Sequence, residues 1–214
     1  MADQTRAVLQ VNPMTITTTH QPVEVKTATE ADVQRVIDTI VLAFTSDPTW
    51  RWNYPAPHEY LEYFPEFVSV YGGKAFEHGT AYYVEDFAGA ALWLPPGVQP
   101  DEDALIDLFQ HSLPEERQAQ AWSILEQLED YHPDEPSWHL PIIGVDPTQQ
   151  RRGFGAALLN HVLTRCDRDG AVAYLESSNP ENISLYARHG FEIPGMIQID
   201  GVPPLVPMVR ESQT

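Results

Sequence analysis

The stretch that decides the fold is Ile143-Gly144-Val145-Asp146-Pro147-Thr148-Gln149-Gln150-Arg151-Arg152-Gly153-Phe154-Gly155-Ala156. An apolar strand pattern ends near Val145, a polar loop follows, and a helical pattern begins at the paired glycines. Glycines there let backbone N–H groups approach a ligand at the start of the helix, where unpaired donors and partial positive charge favour a pyrophosphate. Two arginines add positive charge. The stretch predicts a strand–loop–helix unit that binds a phosphorylated ligand, with close helix packing as the alternative explanation of the glycines.

The same residues exclude two familiar phosphate-binding loops. The stretch lacks the Gly-Lys-Ser/Thr ending of a P-loop nucleotide site. Only Gly153 and Gly155 are present at the helix start, so the third glycine of the dinucleotide-binding fingerprint is missing. The ligand must therefore be held by another kind of cradle.

Composition limits the classes of function. The 214 residues hold 12 Lys and Arg against 31 Asp and Glu, which gives a net charge of −19. This balance argues against nucleic acid and against an anionic membrane surface, because both need clustered cations. A cationic substrate is compatible with it, although solubility is the simpler explanation. The single Cys166 excludes an intramolecular disulfide and a multi-cysteine zinc site, and its place on an apolar helix stripe predicts a buried, inert thiol.

Apolar periodicity predicts a mixed set of strands and helices. The predicted strands are residues 23–26, 80–84, 88–94, 138–145, 171–176, 191–199 and 205–209. The predicted helices are residues 29–47, 60–76, 101–110, 114–131, 153–168 and 181–189. Residues 49–58 are expected to form an aromatic loop between prolines. Residues 1–21 are expected to be a flexible N-terminal arm and residues 22–214 a single domain of the α/β or α+β class.

Two motifs, taken together, resemble those of the GNAT N-acetyltransferase superfamily. Gln150 to Gly155 matches the Gln/Arg-x-x-Gly-x-Gly/Ala signature, and the segment from Asn179 to Phe191 matches the Asn…Tyr-x-x-x-Gly-Phe motif. Both stand in the family's order, with a helix and a strand between them. Within the superfamily the chain is most similar to the puromycin N-acetyltransferase-like branch. The features behind this are Ala43-Phe44, Asp47-Pro48, Leu92 to Gly97, Pro136 to Trp138, and Leu175-Glu176 before Asn182.

The resemblance implies a mixed, mostly antiparallel seven-stranded sheet flanked by helices, and acetyl-coenzyme A (acetyl-CoA) as the cofactor. The central strand would splay from its neighbour, and its free backbone groups at residues 142–145 would hold the pantetheine arm like an added strand. Asn182, or alternatively Asn179, would bond the pantetheine, and the pyrophosphate would lie on N–H groups of residues 151–156. The expected cofactor-binding residues are Ile143, Gly144, Val145, Gln150, Arg151, Arg152, Gly153, Phe154, Gly155, Ala156, Asn179, Asn182 and Tyr186.

The resemblance also implies catalytic roles. Tyr186 would protonate the departing thiolate, since an ordinary phenol has a pKa near ~10, close to that of a thiol. A base is needed as well, because an alkyl amine with a pKa near ~10.4 is protonated at neutral pH. Glu176 and His139 are the two candidates, and a water chain to Asp47 or Glu135 is a further alternative.

An acceptor pocket is expected from aromatic residues beside a carboxylate, which suit a hydrophobic amine. Its expected residues are Phe44, Asp47, Trp50, Trp52 and Trp93. The expected function is direct acetyl transfer from acetyl-CoA to the primary amine of a small molecule, by a cytoplasmic monomer or homodimer without metal, nucleic-acid or membrane partners. The alternatives are acetylation of protein lysines or N-termini, and a non-catalytic acyl-CoA-binding module.

Overall fold

A six-stranded mixed sheet forms the centre of the computed structural model, which describes residues 23–213. The arm expected at residues 1–21 lies outside the described residues. The strands lie in the sheet in chain order, and β4 and β5 form the one parallel pair within the described range. Their bounds are β1 Val25–Thr27, β2 Ala81–Val84, β3 Gly89–Leu94, β4 Trp138–Val145, β5 Ala173–Ser177 and β6 Val206–Arg210.

Helices cover both faces of this sheet. Their bounds are α1 Val33–Ala43, α2 Pro48–Asn53, α3 Pro57–Gly72, α4 Lys74–Glu77, α5 Glu102–Ser112, α6 Glu115–Glu129, α7 Phe154–Asp169 and α8 Ile183–Arg188. Side chains of β3 alternate between the two cores: Leu92 and Leu94 pack with α1, α3 and α5, while Trp93 packs with α7. Within residues 23–213, none of these helices has the length and apolar character needed to cross a membrane.

The expected mixed, mostly antiparallel sheet is confirmed, but the expectation of seven strands is wrong. Residues 191–199 make only isolated bridges in the described structure, between Glu192 and Val209 and between Ile197 and Leu205. Pro194 interrupts the segment and cannot donate to a ladder. The following Gly195 packs so closely on Tyr131 that a Cβ there would lie 2.4 Å from the ring. Contact with the chain after α6 thus replaces strand pairing.

The expectation of a loop at residues 49–58 is also wrong, because α2 spans Pro48–Asn53 and α3 begins at Pro57. The Asp47 Oδ1 accepts the N–H groups of Thr49 and Trp50 at 3.0 and 3.1 Å, and Pro48 occupies the first helical position. An acidic N-cap followed by proline is a favourable helix start. The aromatic residues of this segment are therefore fixed on a short helix.

The single cysteine behaves as expected from its helical stripe. Cys166 lies buried on α7, where burial raises the pKa of its thiol to about 11. Thiolate is the nucleophilic form, so this thiol is poorly suited to covalent catalysis at neutral pH.

Candidate active site

The two central strands separate partway along their length. β4 and β5 pair from Trp138–Ala173 only as far as Leu140–Leu175 among the described residues, while β4 continues to pair with β3 as far as Val145. Pro141 follows the last paired residue and has no N–H to offer β5. The register with β3 shifts at the same level, which indicates a bulge in β4. One edge of β4 is therefore open at residues 142–145.

A cleft of about 780 Å³, which we name the large cleft, opens at this separation. It brings together all the residues expected to hold the cofactor except Arg152. The expected residues in its lining are Ile143, Gly144, Val145, Gln150, Arg151, Gly153, Phe154, Gly155, Ala156, Asn179, Asn182 and Tyr186. Arg152 instead hydrogen-bonds Gln149 and places its guanidinium 4.9 Å from the centre of the Phe154 ring.

The N-terminus of α7 forms one wall of the large cleft. Its N-cap, Gly153, has a φ of +86°, a conformation that favours glycine, and nothing lies within 4 Å of a Cβ built there. The first helical bond runs from the Ala157 N–H to the Gly153 carbonyl at 2.9 Å. The N–H groups of residues 154–156 precede it and have no acceptor within the helix. With Arg151 beside them, these donors have the geometry and positive charge that anion binding at a helix N-terminus requires.

The other two glycines of the deciding stretch have different surroundings. A Cβ on Gly144 would lie 2.7 Å from the Cβ of Ala43, so glycine lets α1 approach β4 closely. A Cβ on Gly155 would make an ordinary contact of 3.4 Å with Leu185. Only Gly153 is required by its backbone conformation.

A second cavity of about 120 Å³, the apolar pocket, lies between the sheet and helices α2, α3, α5 and α6. Its lining is mostly aromatic and aliphatic, and its aromatic residues are Phe44, Trp50, Phe67, Tyr71, Phe109 and Tyr186. The large cleft and the apolar pocket share four lining residues. These are Phe44, Ile143, Asn182 and Tyr186. The two cavities therefore meet where β4 leaves β5.

Two of the tryptophans expected in the acceptor pocket lie elsewhere. Trp93 is fully buried on the opposite face of the sheet, with its ring 6.5 Å from that of Trp138. Trp52 lies on the other side of α2, where the guanidinium of Arg117 is 5.6 Å from its ring. Within the described chain the apolar pocket is lined by Trp50 and Phe44 but by neither of these two.

Asp47 lines the large cleft, yet its carboxylate is bonded within the chain. One oxygen caps α2, and the other accepts the hydroxyl of Ser178 at 2.7 Å. Burial raises the pKa of Asp47, although hydrogen bonds from Ser178, Trp50 and Thr49 lower it. The residue thus ties the start of α2 to the chain after β5, and we expect it to position that helix rather than contact an amine.

Substitutions of Asp47 test this assignment. Asp47→Asn keeps the cap and should hold kcat/KM for the amine within about threefold, because asparagine caps helices as well as aspartate. Asp47→Ala should lower the free energy of unfolding by about 1 kcal/mol and raise the amine KM about tenfold, as α2 loosens. Steady-state kinetics and thermal unfolding measure both. A tenfold or greater loss in Asp47→Asn would instead assign a role to the negative charge.

A buried acid–base pair reaches the apolar pocket from the central strands. Nε2 of His139 lies 2.9 Å from an oxygen of Glu176, and their side chains are 4% and 6% exposed. Burial raises the pKa of Glu176, but the charge and hydrogen bond of His139, with the charge of His132, bring it below its ordinary value. Glu176 is therefore an ionised carboxylate facing the pocket. Glu135, considered for a water chain, is exposed on the connector before β4.

His132 joins this pair although no sequence pattern indicates it. Its ring centre lies 5.6 Å from that of His139 and 4.3 Å from that of Tyr174. Burial, followed by the charge of His139, lowers the pKa of His132. A half-buried imidazole thus lies beside the Glu176–His139 pair.

The two asparagines considered for the pantetheine arm have different surroundings. The Oδ1 of Asn179 accepts the N–H of Glu181 at 3.0 Å and so caps a short 3-10 turn. Asn182 lies in the lining of both cavities. Its position at their junction makes it the better candidate for a ligand contact.

Tyr186 completes the junction of the two cavities. Its side chain comes from α8, is 6% exposed, and lies in the lining of both. Burial raises the pKa of Tyr186, and the charge of Asp47 raises it further. The phenol is therefore protonated at neutral pH and available as a hydrogen-bond donor.

Comparisons with known proteins identify the family. The profile of the acetyltransferase (GNAT) family matches residues 43–191. An uncharacterised N-acetyltransferase of Schizosaccharomyces pombe is 26% identical over 207 residues, covering 86% of this chain and 81% of its own. A solved structure from Corynebacterium glutamicum, described as histone acetyltransferase HPA2 and related acetyltransferase, has a TM-score of 0.65 at 24% identity, over 91% of this chain and 98% of its own. Arylalkylamine N-acetyltransferase 2 of Aedes aegypti has a TM-score of 0.64 at 12% identity, over 90% of this chain and 100% of its own.

The two solved structures show that the fold is shared. The family profile shows family membership as well as fold. It matches residues 43–191, which include the separated central strands, the N-terminus of α7 and Tyr186. This protein therefore belongs to the acetyltransferase (GNAT) family and is an acyltransferase enzyme.

Proposed function

We propose that this enzyme transfers an acetyl group from acetyl-CoA to the primary amine of a small molecule by direct attack. The observation that supports the proposal most is the junction of the two cavities at Asn182 and Tyr186. One cavity offers a long open strand edge and an anion site, and the other is small and apolar. A two-part acyl donor and a compact acceptor fit these two shapes.

The residues of the large cleft fit acetyl-CoA, which supplies an activated thioester when bound. The open edge of β4 at residues 142–145 would pair with the pantetheine arm in the manner of an added strand. The free N–H groups of residues 154–156, with Arg151, would hold the pyrophosphate. Asn182 would bond the arm near the junction.

The apolar pocket would orient the acceptor with its amine toward Glu176. At pH 7, exposing the lone pair of an alkyl ammonium costs roughly 4–5 kcal/mol, so a nearby proton acceptor is required. Glu176 would take that proton, and His139 would orient the carboxylate through its hydrogen bond. Holding the two reactants together at the junction would contribute up to ~7–11 kcal/mol.

Tyr186 would donate a hydrogen bond to the departing sulfur. Its raised pKa makes Tyr186 a weaker acid than a free phenol. Complete transfer of its proton to the thiolate is therefore less favourable than the ordinary pKa values of a phenol and a thiol imply. The role that fits best is a short donor contact in which the proton moves as the carbon–sulfur bond breaks. Cys166 is buried and inert, in agreement with transfer that forms no covalent enzyme intermediate.

The proposal also covers the subfamily, the cellular location and the oligomeric state of the enzyme. The Leu92 to Gly97 and Pro136 to Trp138 motifs support the puromycin N-acetyltransferase-like branch. A free, buried Cys166 is compatible with a cytoplasmic location. The chain would act as a monomer or homodimer.

Thiol release from acetyl-CoA over a panel of amines, including aminonucleosides, tests the activity. We expect transfer to compact amines and little transfer to lysine-containing or N-terminal peptides, because the apolar pocket is small. Preferred transfer to peptides would contradict the small-molecule assignment. Tight binding of acetyl-CoA without transfer to any acceptor would replace catalysis with a binding function.

The anion site predicts a specific effect at Gly153. Gly153→Val places a β-branched residue at φ +86° and should raise the acetyl-CoA Kd at least tenfold, because the first turn of α7 must rearrange. The matched control is Gly97→Val, at φ +84° in an exposed turn outside both cavities. It should destabilise the chain comparably and leave the Kd unchanged. If calorimetry gives both variants the same acetyl-CoA Kd, the N-terminus of α7 does not hold the pyrophosphate.

A further inference from the structure

We propose that Asn53 gives the apolar pocket a preference for acceptors that carry a hydroxyl group remote from the amine. This inference rests on the proposed function and defines its substrate class more closely. Asn53 lies at the end of α2, is 7% exposed, and belongs to the lining of the apolar pocket. Its Oδ1 is buried and has no hydrogen-bond partner among the described residues. A buried acceptor left unpaired is costly, which points to a partner that arrives with the ligand.

The serine and threonine hydroxyl groups in the lining of the apolar pocket already have partners within the chain. The Thr49 hydroxyl donates to the Ser178 carbonyl at 3.4 Å, and the Ser178 hydroxyl donates to Asp47 at 2.7 Å. The Ser177 hydroxyl donates to the Asn179 carbonyl at 3.0 Å. Asn53 thus differs from these polar residues in having an acceptor free for a ligand.

Glu176 is the charged residue in the lining of the apolar pocket, and it has partners within the chain. The hydroxyl of Tyr71 interacts with Glu176, which also bonds His139. In the proposed reaction this carboxylate serves the amine. Asn53 is consequently the polar group left to recognise the remainder of the acceptor.

The backbone of α2 holds Asn53 in place from both ends. At the start of the helix, the Ser178 hydroxyl after β5 donates to Asp47. At its end, Arg117 of α6 donates to the Asn53 carbonyl at 2.9 Å. The ligand therefore meets an asparagine whose backbone is already fixed, so less entropy is lost in ordering the chain when the hydrogen bond forms.

The size and lining of the pocket define the rest of the ligand. An engineered apolar cavity of ~150 Å³ holds one benzene ring, and this pocket has about 120 Å³. Trp50 and Phe67 form one wall, with ring centres 3.9 Å apart and ring planes inclined by 44°. The expected acceptor is a primary amine on one small ring or a short aliphatic chain, with a hydroxyl at the far end.

Matched amines that differ by one hydroxyl test this preference. The pairs are phenethylamine with tyramine, and pentylamine with 5-aminopentanol. With acetyl-CoA, the wild type should favour the hydroxylated member of at least one pair by roughly tenfold or more in kcat/KM, because only that member satisfies Oδ1. Asn53→Leu should abolish the preference, whereas Asn53→Asp, which retains an acceptor oxygen, should keep it.

Two measurements separate recognition from a structural role and from failure of the proposed function. Asn53→Leu should unfold at the same temperature as wild type or higher, because it removes an unpaired buried acceptor. Thermal-shift titration with the same four amines, without acetyl-CoA, reports binding even if no amine is acetylated. A hydroxyl preference that is lacking in wild type, or that survives in Asn53→Leu, overturns the inference. Loss of acetylation with the binding preference intact would overturn only the proposed activity.

Discussion

Tyr186→Phe is expected to lower kcat about 10²–10³-fold while the acetyl-CoA Kd stays within about twofold of wild type. The substitution removes one oxygen at the junction of the two cavities and leaves the packing of the ring against Phe191 intact. The departing thiolate then has no donor from α8, so the loss should fall on the chemical step. Single-turnover kinetics and calorimetry measure the two quantities separately.

The control for this substitution is Tyr83→Phe, which removes a hydroxyl from β2 outside both cavities. Its turnover should match wild type. Because burial and Asp47 raise the pKa of Tyr186, the phenol stays protonated as the pH rises, and the wild-type rate should not fall between pH 8 and about pH 10. Unchanged turnover in Tyr186→Phe would remove the assigned donor role.

Local patterns in the sequence predicted the elements that the site is built on. The strand over residues 138–145 agrees with β4, and the helix over 153–168 differs from α7 by one residue at each end. Both have a clear apolar period and terminal glycines, so neighbouring residues carry the information. The residues at the N-terminus of α7 that line the large cleft are close in sequence, so one motif contains them all.

The apolar pocket depends on a helix, α2, that the sequence analysis did not predict. Side chains on a helix rotate by about 100° per residue, so Trp50 and Trp52 must lie on opposite sides of α2. Because residues 49–58 were expected to form a loop, both tryptophans were expected in the same pocket. On β3 the strict alternation likewise separates Leu92 from Trp93, but the sequence does not tell which face of the sheet carries the pocket.

Other residues reach the site from distant segments without a shared pattern. Ser178 meets Asp47 across 131 positions, and His132 approaches His139 from the connector after α6. Asn53 reaches the apolar pocket only because α2 is helical, and its Oδ1 is unpaired only because of the packing around it. Such contacts follow from tertiary packing, so a single sequence predicts the residue types of a site better than their partners.

Glu176→Gln is expected to lower kcat/KM at pH 7 about 10²–10³-fold and to change the shape of the pH profile. His139 and His132 hold the pKa of Glu176 below its ordinary value of 4.5, so the wild-type carboxylate is ionised throughout the neutral and alkaline range. The wild-type rate for a protonated amine should therefore be nearly flat from pH 6 to about pH 9. Without the base, the variant can use only free amine, and log kcat/KM should rise with unit slope toward the amine pKa near ~10.4.

The pH profile distinguishes a catalytic base from a residue that merely supports the fold. A loss of structure would lower the rate at every pH, whereas a lost base leaves a deficit that shrinks below about tenfold near pH 10, where free amine is abundant. Glu126→Gln, on the exposed face of α6, supplies the matched control and should follow the wild-type curve. Thermal unfolding verifies that both variants are folded. A Glu176→Gln profile parallel to wild type would mean that the amine proton leaves by another route.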